Sequence, residues 1–273
     1  MAVTPVNAAT VILLRPAAGH KNQAFEILMA QRNSKSAFAP SAFVFPGGRV
    51  DKSDYAQDME IFYNRRDLSK VLSTLDGVST PEIAFGIPVA AIRETFEEVG
   101  LLMARQKDGT PLSFDQNDLI QRLRSYREMV CSGKIHFAQL LKREELILAV
   151  EQLHYFSHWI TPELSPLRYD TRFFVAEVPV NQQALHDGDE MTGHLWITPG
   201  QALERYREKK FHMVVPTIVT LEELTHFATI GKVIESTRRK KVSAVLTKLV
   251  IKNNEIEEHT PDGRIFRNLI PPH

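Results

Sequence analysis

The sequence predicts an α/β or α+β fold built on a mixed sheet. Three observations carry that reading. Short apolar runs rich in β-branched and aromatic residues recur at 11–14, 25–30, 42–45, 172–178 and 195–197. Helix-start signals stand between them: Thr80-Pro81 and Thr198-Pro199 each set a threonine cap before proline at the first helical position. Strand and helix patterns do not alternate strictly, so a purely parallel sheet is not expected.

Taken in order, residues 11–14 read as a buried strand, 17–23 as a turn, and 25–30 as a second strand paired with the first. Residues 42–45 form a third, stopped by the tight turn Pro46-Gly47-Gly48. Residues 51–83 are polar, with Asp51, Asp54, Asp58, Arg65, Arg66 and Asp67 among scattered apolar positions. Thr80-Pro81 opens a helix signal; the pattern is strongest over 90–98 and ends at the C-terminal cap Gly100. Residues 115–155 hold no glycine but Gly133 and are rich in Leu, Arg, Glu and Gln, which predicts two or three helices. Trp159-Ile160 begins a strand, and the strand over 172–178 ends at Pro179. The strand at 195–197 runs into the capping box Thr198-Pro199-Gly200-Gln201 and a helix over 202–208. Thr220-Leu221-Glu222-Glu223 reads as the cap of another helix, and 242–252 fits a strand or a helix. Neither an internal repeat nor a low-complexity linker is present.

The 273 residues are 43% hydrophobic and 24% charged, the balance of a globular protein with a substantial core. Thirty-three basic and 33 acidic residues cancel, which gives no electrostatic case for wholesale binding to nucleic acid or membrane. One cysteine, Cys131, excludes an internal disulfide and a cysteine-based zinc cluster, and no activating partner for it is evident. His154 and His158 stand four apart without the further ligands of a zinc site. Arg238-Arg239-Lys240-Lys241 reads as a solvated basic face. No targeting segment or membrane span is recognisable, so a cytoplasmic location is expected.

The chemistry concentrates in Arg93-Glu94-Thr95-Phe96-Glu97-Glu98-Val99-Gly100. On a helix, Glu94, Glu97 and Glu98 share one face at i, i+3 and i+4. Like charges at that spacing cost about 0.2–0.5 kcal/mol per pair, and the helix C-terminus disfavours anions further. A hard divalent cation reverses the sign, because it seeks carboxylate oxygens and keeps open positions for phosphate. The alternative is a solvated acidic face. Five fixed positions at such spacing arise by chance with a probability on the order of 10⁻⁴ in a chain of this length.

This segment resembles the box of the Nudix hydrolases, G-x5-E-x7-R-E-U-x-E-E-x-G-U, where U is bulky and apolar. Residues Arg93 through Leu101 supply its end, and Phe45-Pro46-Gly47-Gly48 its opening glycine turn. Two departures stand out. Arg93 lies 45 residues after Gly48, which leaves an insertion of 31 residues inside the box. Asp54 replaces the first glutamate and Thr95 occupies the first U position; no metal role is carried onto Asp54. A box split in this way resembles the Nudix group that includes the peroxisomal coenzyme A diphosphatase of mammals. Arg32 ahead of Phe38-Ala39-Pro40, Trp159-Ile160-Thr161-Pro162, Tyr169-Asp170-Thr171-Arg172-Phe173-Phe174, and Trp196 ahead of Pro199 extend the likeness over roughly residues 8–230. The separate coenzyme A signature of other Nudix enzymes is not recognisable ahead of Phe45.

The resemblance implies a Nudix-type α/β/α sandwich with a mixed sheet and helical insertions. It implies one domain over 1–273, with insertions at 55–83 and about 115–155 around the substrate cleft and a C-terminal extension over 231–273. Glu94, Glu97 and Glu98 would hold Mg²⁺ or Mn²⁺, and Arg93 would orient the glutamates. Glu94 is the first candidate for general base. Glu190, beyond the turn-forming Asp187-Gly188-Asp189, is the second. Gly47 and Gly48 would let the chain turn beside the metal, and Arg32, Lys35, Arg49, Arg168 and Arg172 are cations suited to phosphate. The implied reaction is hydrolysis of a nucleoside-linked diphosphate, first of all coenzyme A or acyl-coenzyme A. ADP-ribose, NADH, a nucleotide sugar or a dinucleoside polyphosphate are alternatives, as is a non-catalytic nucleotide-binding module. The partner implied is a small nucleotide, with a homodimer left open and neither membrane nor nucleic acid expected.

Overall fold

In the computed structural model, residues 3–17, 24–78, 80–112, 117–252 and 255–267 are described. Strands β1 (Val6–Pro16) and β2 (Phe25–Arg32) pair antiparallel, and alternation along them divides the interior in two. Ala9, Val11, Leu13, Leu28 and Ala30 enter one core, whereas Ile12, Leu14, Ile27 and Met29 enter the other. A sheet apolar on both faces must be covered on both, and helices do so here.

Short strands β3 (Phe43–Val44) and β4 (Gly47–Arg49) follow. Next come two 3₁₀ turns (Lys52–Tyr55 and Gln57–Phe62) and helices α1 (Arg65–Leu72) and α2 (Pro81–Val99). Strand β5 (Ala104–Gln106), helices α3 (Asn117–Cys131) and α4 (Phe137–Arg143), and strand β6 (Leu146–Leu148) form a side unit in which β5 pairs with β6. Strands β7 (His154–Ile160), β8 (Tyr169–Glu177) and β9 (Met191–Ile197) return to the main sheet. Helices α5 (Pro199–Arg207), α6 (Val215–Leu224) and α7 (Ile230–Thr237) come next. The chain continues through β10 (Ala244–Leu246), β11 (Lys248–Lys252), β12 (Glu255–His259) and β13 (Ile265–Phe266). The main sheet runs β10-β7-β8-β1-β2-β3, with β4 on β1 and β9 on β2. β1 with β8 and β10 with β7 are parallel and the other pairs antiparallel, so the sheet is mixed as expected.

β1 changes partner along its length. It meets β2 over residues 14–16 but β4 over residues 8–10. Where β1 and β2 part, the glycine turn enters the sheet beside α2. That helix runs unbroken from the Thr80 cap and Pro81 to Gly100, which takes φ 71° as its C-terminal cap. Thr95 is fully buried and donates its hydroxyl to the Ala91 carbonyl at 2.7 Å. An apolar box position therefore tolerates threonine, because the polar atom is satisfied within the helix.

Several expectations need correction. Thr220 does not cap a helix. It lies inside α6, which starts after Val214 with Pro216 in its first turn. The stretch over 115–155 holds two helices, but it turns to strand at Leu146–Leu148 and β7 begins at His154. Trp159 and Ile160 end β7 and do not begin a strand. The tail over 242–252 is strand. Residues 18–23 of the expected turn and residues 113–116 lie outside the described residues. The insertion packs Met59, Phe62, Leu68 and Val71 into the α2-side core and thickens that layer.

Candidate active site

Segments far apart in sequence meet around the last turns of α2. The glycine turn comes first. Gly47 N–H donates to Glu98 Oε2 at 2.8 Å, and a Cβ on Gly48 would fall 2.4 Å from the Glu94 carboxyl carbon. At Gly47, with φ 154°, a Cβ would lie 2.3 Å from the Ala9 carbonyl oxygen. Gly47 therefore requires glycine against the β1 backbone, whereas a side chain at Gly48 would have to displace the Glu94 carboxylate.

The loop before β9 comes second. The last carbonyls of a helix lack partners within it. Here Leu185 N–H donates to Val99 O at 2.9 Å and Asp187 N–H to Glu98 O at 3.1 Å, while Arg127 Nε donates to Glu97 O at 2.8 Å. Asp187 then accepts from the Glu190 and Met191 amides, both at 2.8 Å, around Gly188 at φ 87°. The Asp-Gly pair is thus a turn, and the turn delivers Glu190 to the end of α2. Glu190 Oε1 meets Arg32 Nη2 at 3.1 Å.

Arg93 organises the acidic groups. Its Nε and Nη2 bind Asp54 Oδ1 and Oδ2 at 2.7 and 2.9 Å, a bidentate clamp on a carboxylate only 2% exposed. Nη1 reaches Glu94 Oε1 at 2.9 Å and Glu97 Oε1 at 3.3 Å, and Nη2 also donates to Arg49 O at 2.9 Å. Asp54, left without a metal role by sequence, is committed to Arg93. Its position six residues after Gly48 was the signal that could have found it.

Burial dominates the electrostatics. It pushes the Glu94 carboxyl up to about 7, with Arg93 opposing and Glu97 and Glu190 reinforcing. Glu98 is driven well above the usual carboxylate range by burial and by repulsion from Glu94 and Glu190. Glu97 is raised by burial against the pull of Arg93, and Asp54 likewise. Glu98 Oε1 is buried without a hydrogen-bond partner. Such an orphaned carboxylate oxygen is costly unless something binds it. A hard, oxygen-seeking cation fits this donor set and this orphan. Among the described residues, no three His, Cys, Asp or Glu side chains already converge as a ligand shell. Glu94 and Glu97 are instead turned onto Arg93.

A cleft of about 480 Å³, within the range of ligand pockets, opens beside this acidic group, although Glu98 is not among its lining residues. Glu94, Glu97, Glu190, Arg32, Arg49 and Arg93 line it, together with Gly47 and Gly48. Arg172 does not reach it. Alternation on β8 turns Thr171 and Phe173 to the cleft and Arg172 to the other face, where it is fully buried. There it binds Asp170 Oδ1 at 2.9 Å, Asn7 Oδ1 at 3.1 Å and the Gly77 carbonyl at 3.1 Å. Arg168 is spent on the carbonyls of Thr161 and Val3, and Lys35 is not among the lining residues. Among the described residues, neither the insertion at 55–83 nor the stretch over 115–155 lines the cleft. Its walls come from the loops around Phe38 and Leu167 and from the C-terminal strands, which sequence reasoning did not foresee.

A family profile described as the NUDT19 Nudix domain matches residues 2–224. The chain belongs to that family. It is 32% identical over 239 residues to the acyl-coenzyme A diphosphatase NUDT19 of Xenopus laevis, covering 76% of this chain and 62% of that protein. With the human protein of the same name it shares 27% identity over 237 residues, covering 77% and 63%. The chain thus spans somewhat under two thirds of the length of these relatives. Among solved structures, the crystal structure of a NUDIX hydrolase from Alicyclobacillus acidocaldarius aligns with a TM-score of 0.70 at 24% identity, over 85% of this chain and 96% of that one. The fold is therefore the α/β Nudix fold. No helix among the described residues is long and apolar enough to cross a membrane.

Proposed function

We propose that this chain is a metal-dependent diphosphatase of coenzyme A or acyl-coenzyme A, releasing 3′,5′-ADP and (acyl-)phosphopantetheine. The observation that carries the chemistry is the buried, unpaired Glu98 oxygen near Glu94 and Glu190, beside a cleft edged with arginine. The names of the Xenopus and human relatives support the substrate class. Mg²⁺ or Mn²⁺ held by Glu94, Glu97 and Glu98 would neutralise phosphoryl charge and lower the pKa of a water.

The chain's own residues do the rest. Arg93, anchored on Asp54, fixes Glu94 and Glu97. Arg32 and Arg49 edge the cleft with positive charge for diphosphate oxygens. Water adds to one phosphorus, the bond to the bridging oxygen breaks, and that oxygen leaves on the other phosphate. Glu94, at the cleft beside Arg93, is the first candidate to take the water's proton. Glu190 is the second candidate, but its contact with Arg32 competes for it.

The test is product release with Mg²⁺ from coenzyme A, acetyl-coenzyme A, ADP-ribose, NADH and a dinucleoside polyphosphate, beside a Glu97→Gln control. Preferential formation of 3′,5′-ADP, absent in the control, is expected. Cleavage of another member of the panel keeps the hydrolase and overturns the substrate. Silence across the panel favours a binding module.

A further inference from the structure

We propose that the hairpin of β11 and β12 forms the pocket for the uncharged, amide-bearing arm of the substrate, and so reads the phosphopantetheine half of coenzyme A and not its nucleotide half. The proposal rests on the coenzyme A reading above. The hairpin lies beyond the 2–224 span matched by the family profile. It nevertheless supplies Thr247, Leu249, Ile256 and Glu258 to the lining of the same cleft that holds the glutamates.

The cleft has two unlike ends. Its lining cations, Arg32, Arg49 and Arg93, gather at the glutamates: Arg32 on Glu190, and Arg93 on Asp54, Glu94 and the Arg49 carbonyl. Among the described residues, no lysine or arginine of the hairpin lines the cleft. Leu249 and Ile256 instead share it with Trp159, Pro162 and Leu167, the last 40% exposed. The polar groups that the hairpin adds are a paired Thr247 and Glu258, with the threonine hydroxyl donating to the carboxylate. Burial raises the Glu258 carboxyl.

A 3′-phosphate needs cations, and the hairpin's lining residues, Thr247, Leu249, Ile256 and Glu258, supply none. An amide chain needs the opposite: apolar contact for its methylenes, an acceptor for N–H and a donor for C=O. Glu258 offers the acceptor. Trp159, 6% exposed and in the cleft wall, has an indole N–H without a partner. The chemistry of this end therefore matches a chain of methylenes and amides, while the diphosphate belongs with the arginines.

The test is direct binding of 4′-phosphopantetheine and of 3′,5′-ADP to the full chain and to Leu249→Trp and Ile256→Trp. Leu249 and Ile256 are half-buried, so either substitution can be read if the other fails to fold. Filling the arm should weaken 4′-phosphopantetheine relative to 3′,5′-ADP by about tenfold or more. Equal loss of both ligands, or selective loss of 3′,5′-ADP, would overturn the proposal, as would unchanged affinities. A wild-type chain that cleaves coenzyme A but responds in any of those ways leaves the parent reading standing. One that neither cleaves coenzyme A nor binds its products removes both.

Discussion

Two buried charge clusters flank the same sheet, and they are built on opposite terms. Around Arg172, the guanidinium is fully buried and shares Asp170 with His158, while Asn7 and the Gly77 carbonyl take further hydrogen bonds. Burial pushes the Asp170 carboxyl up, yet His158 and Arg172 outweigh it and hold it below its ordinary value. Around Arg93, one guanidinium serves Asp54, Glu94 and Glu97 together, and Glu98 keeps an unpaired oxygen. There Asp54, Glu94, Glu97 and Glu98 are all raised. The first cluster balances its charges, although Arg172 Nε keeps no hydrogen-bond partner, and it ties the 76–77 loop to the sheet. The second is over-acidic and leaves a buried carboxylate oxygen unpaired. Buried charge is thus structural where partners balance it, and a candidate for chemistry where they do not.

The comparison can be broken experimentally. The largest effect is expected from Glu98→Gln, which removes a buried charge and should cut turnover about 10³-fold or more in a product-release assay. Its metal-free Tm at pH 8 should not fall. Arg172→Met should do the reverse. Asp170 keeps only His158, and the hydrogen bonds to Asn7 and the Gly77 carbonyl are lost, which should cost about 1–3 kcal/mol in denaturant unfolding, while kcat/KM below the new Tm stays close to wild type. A large loss of kcat/KM there would place Arg172 in the substrate site after all.

Asp54→Asn sits between the two. It weakens the clamp on Arg93, so kcat should drop about 10–100-fold by analogy with supporting shells at metal sites, with a measurable loss of Tm. An unchanged kcat would remove Asp54 from the positioning of Arg93. The smallest effect is a pH trend. Glu94, Glu97 and Glu98 bind protons more tightly folded than unfolded, so their contribution is fully present below about pH 4.5 and is lost as pH rises through the folded values, about 7 for Glu94. The metal-free Tm should therefore fall by several degrees between about pH 5 and 8. Glu94→Gln should flatten that slope, and Mg²⁺ should reverse it. A Tm that rises over the same interval would contradict the raised carboxyls.

What was legible and what was not divides by range along the chain. Glu94, Glu97 and Glu98 could be placed together because helical spacing alone puts them on one face. The α2 ends were legible because Thr80, Pro81 and Gly100 act through local backbone chemistry. Thr220 misled because a threonine before two acidic residues has the same pattern inside a helix as at its start, and Pro216 decided the start. Arg172 misled because its rank among phosphate-suited cations said nothing about which face of β8 it occupies. Phe174 and Ala176, two and four residues on, lie in the α2-side core and carried that signal.

The sequence by itself determined the acidic helix, the glycine turn, several strands of the main sheet and the family, since each depends on residues within a few positions of one another or on a spaced motif. Only the tertiary structure decided that Asp54 grips Arg93 and that Glu190 arrives through hydrogen bonds to the end of α2. It also decided that the C-terminal hairpin, and not the long insertion, walls the cleft. Those outcomes depend on strand order and on which chain end satisfies which orphaned group, and neither is written in any local run of residues.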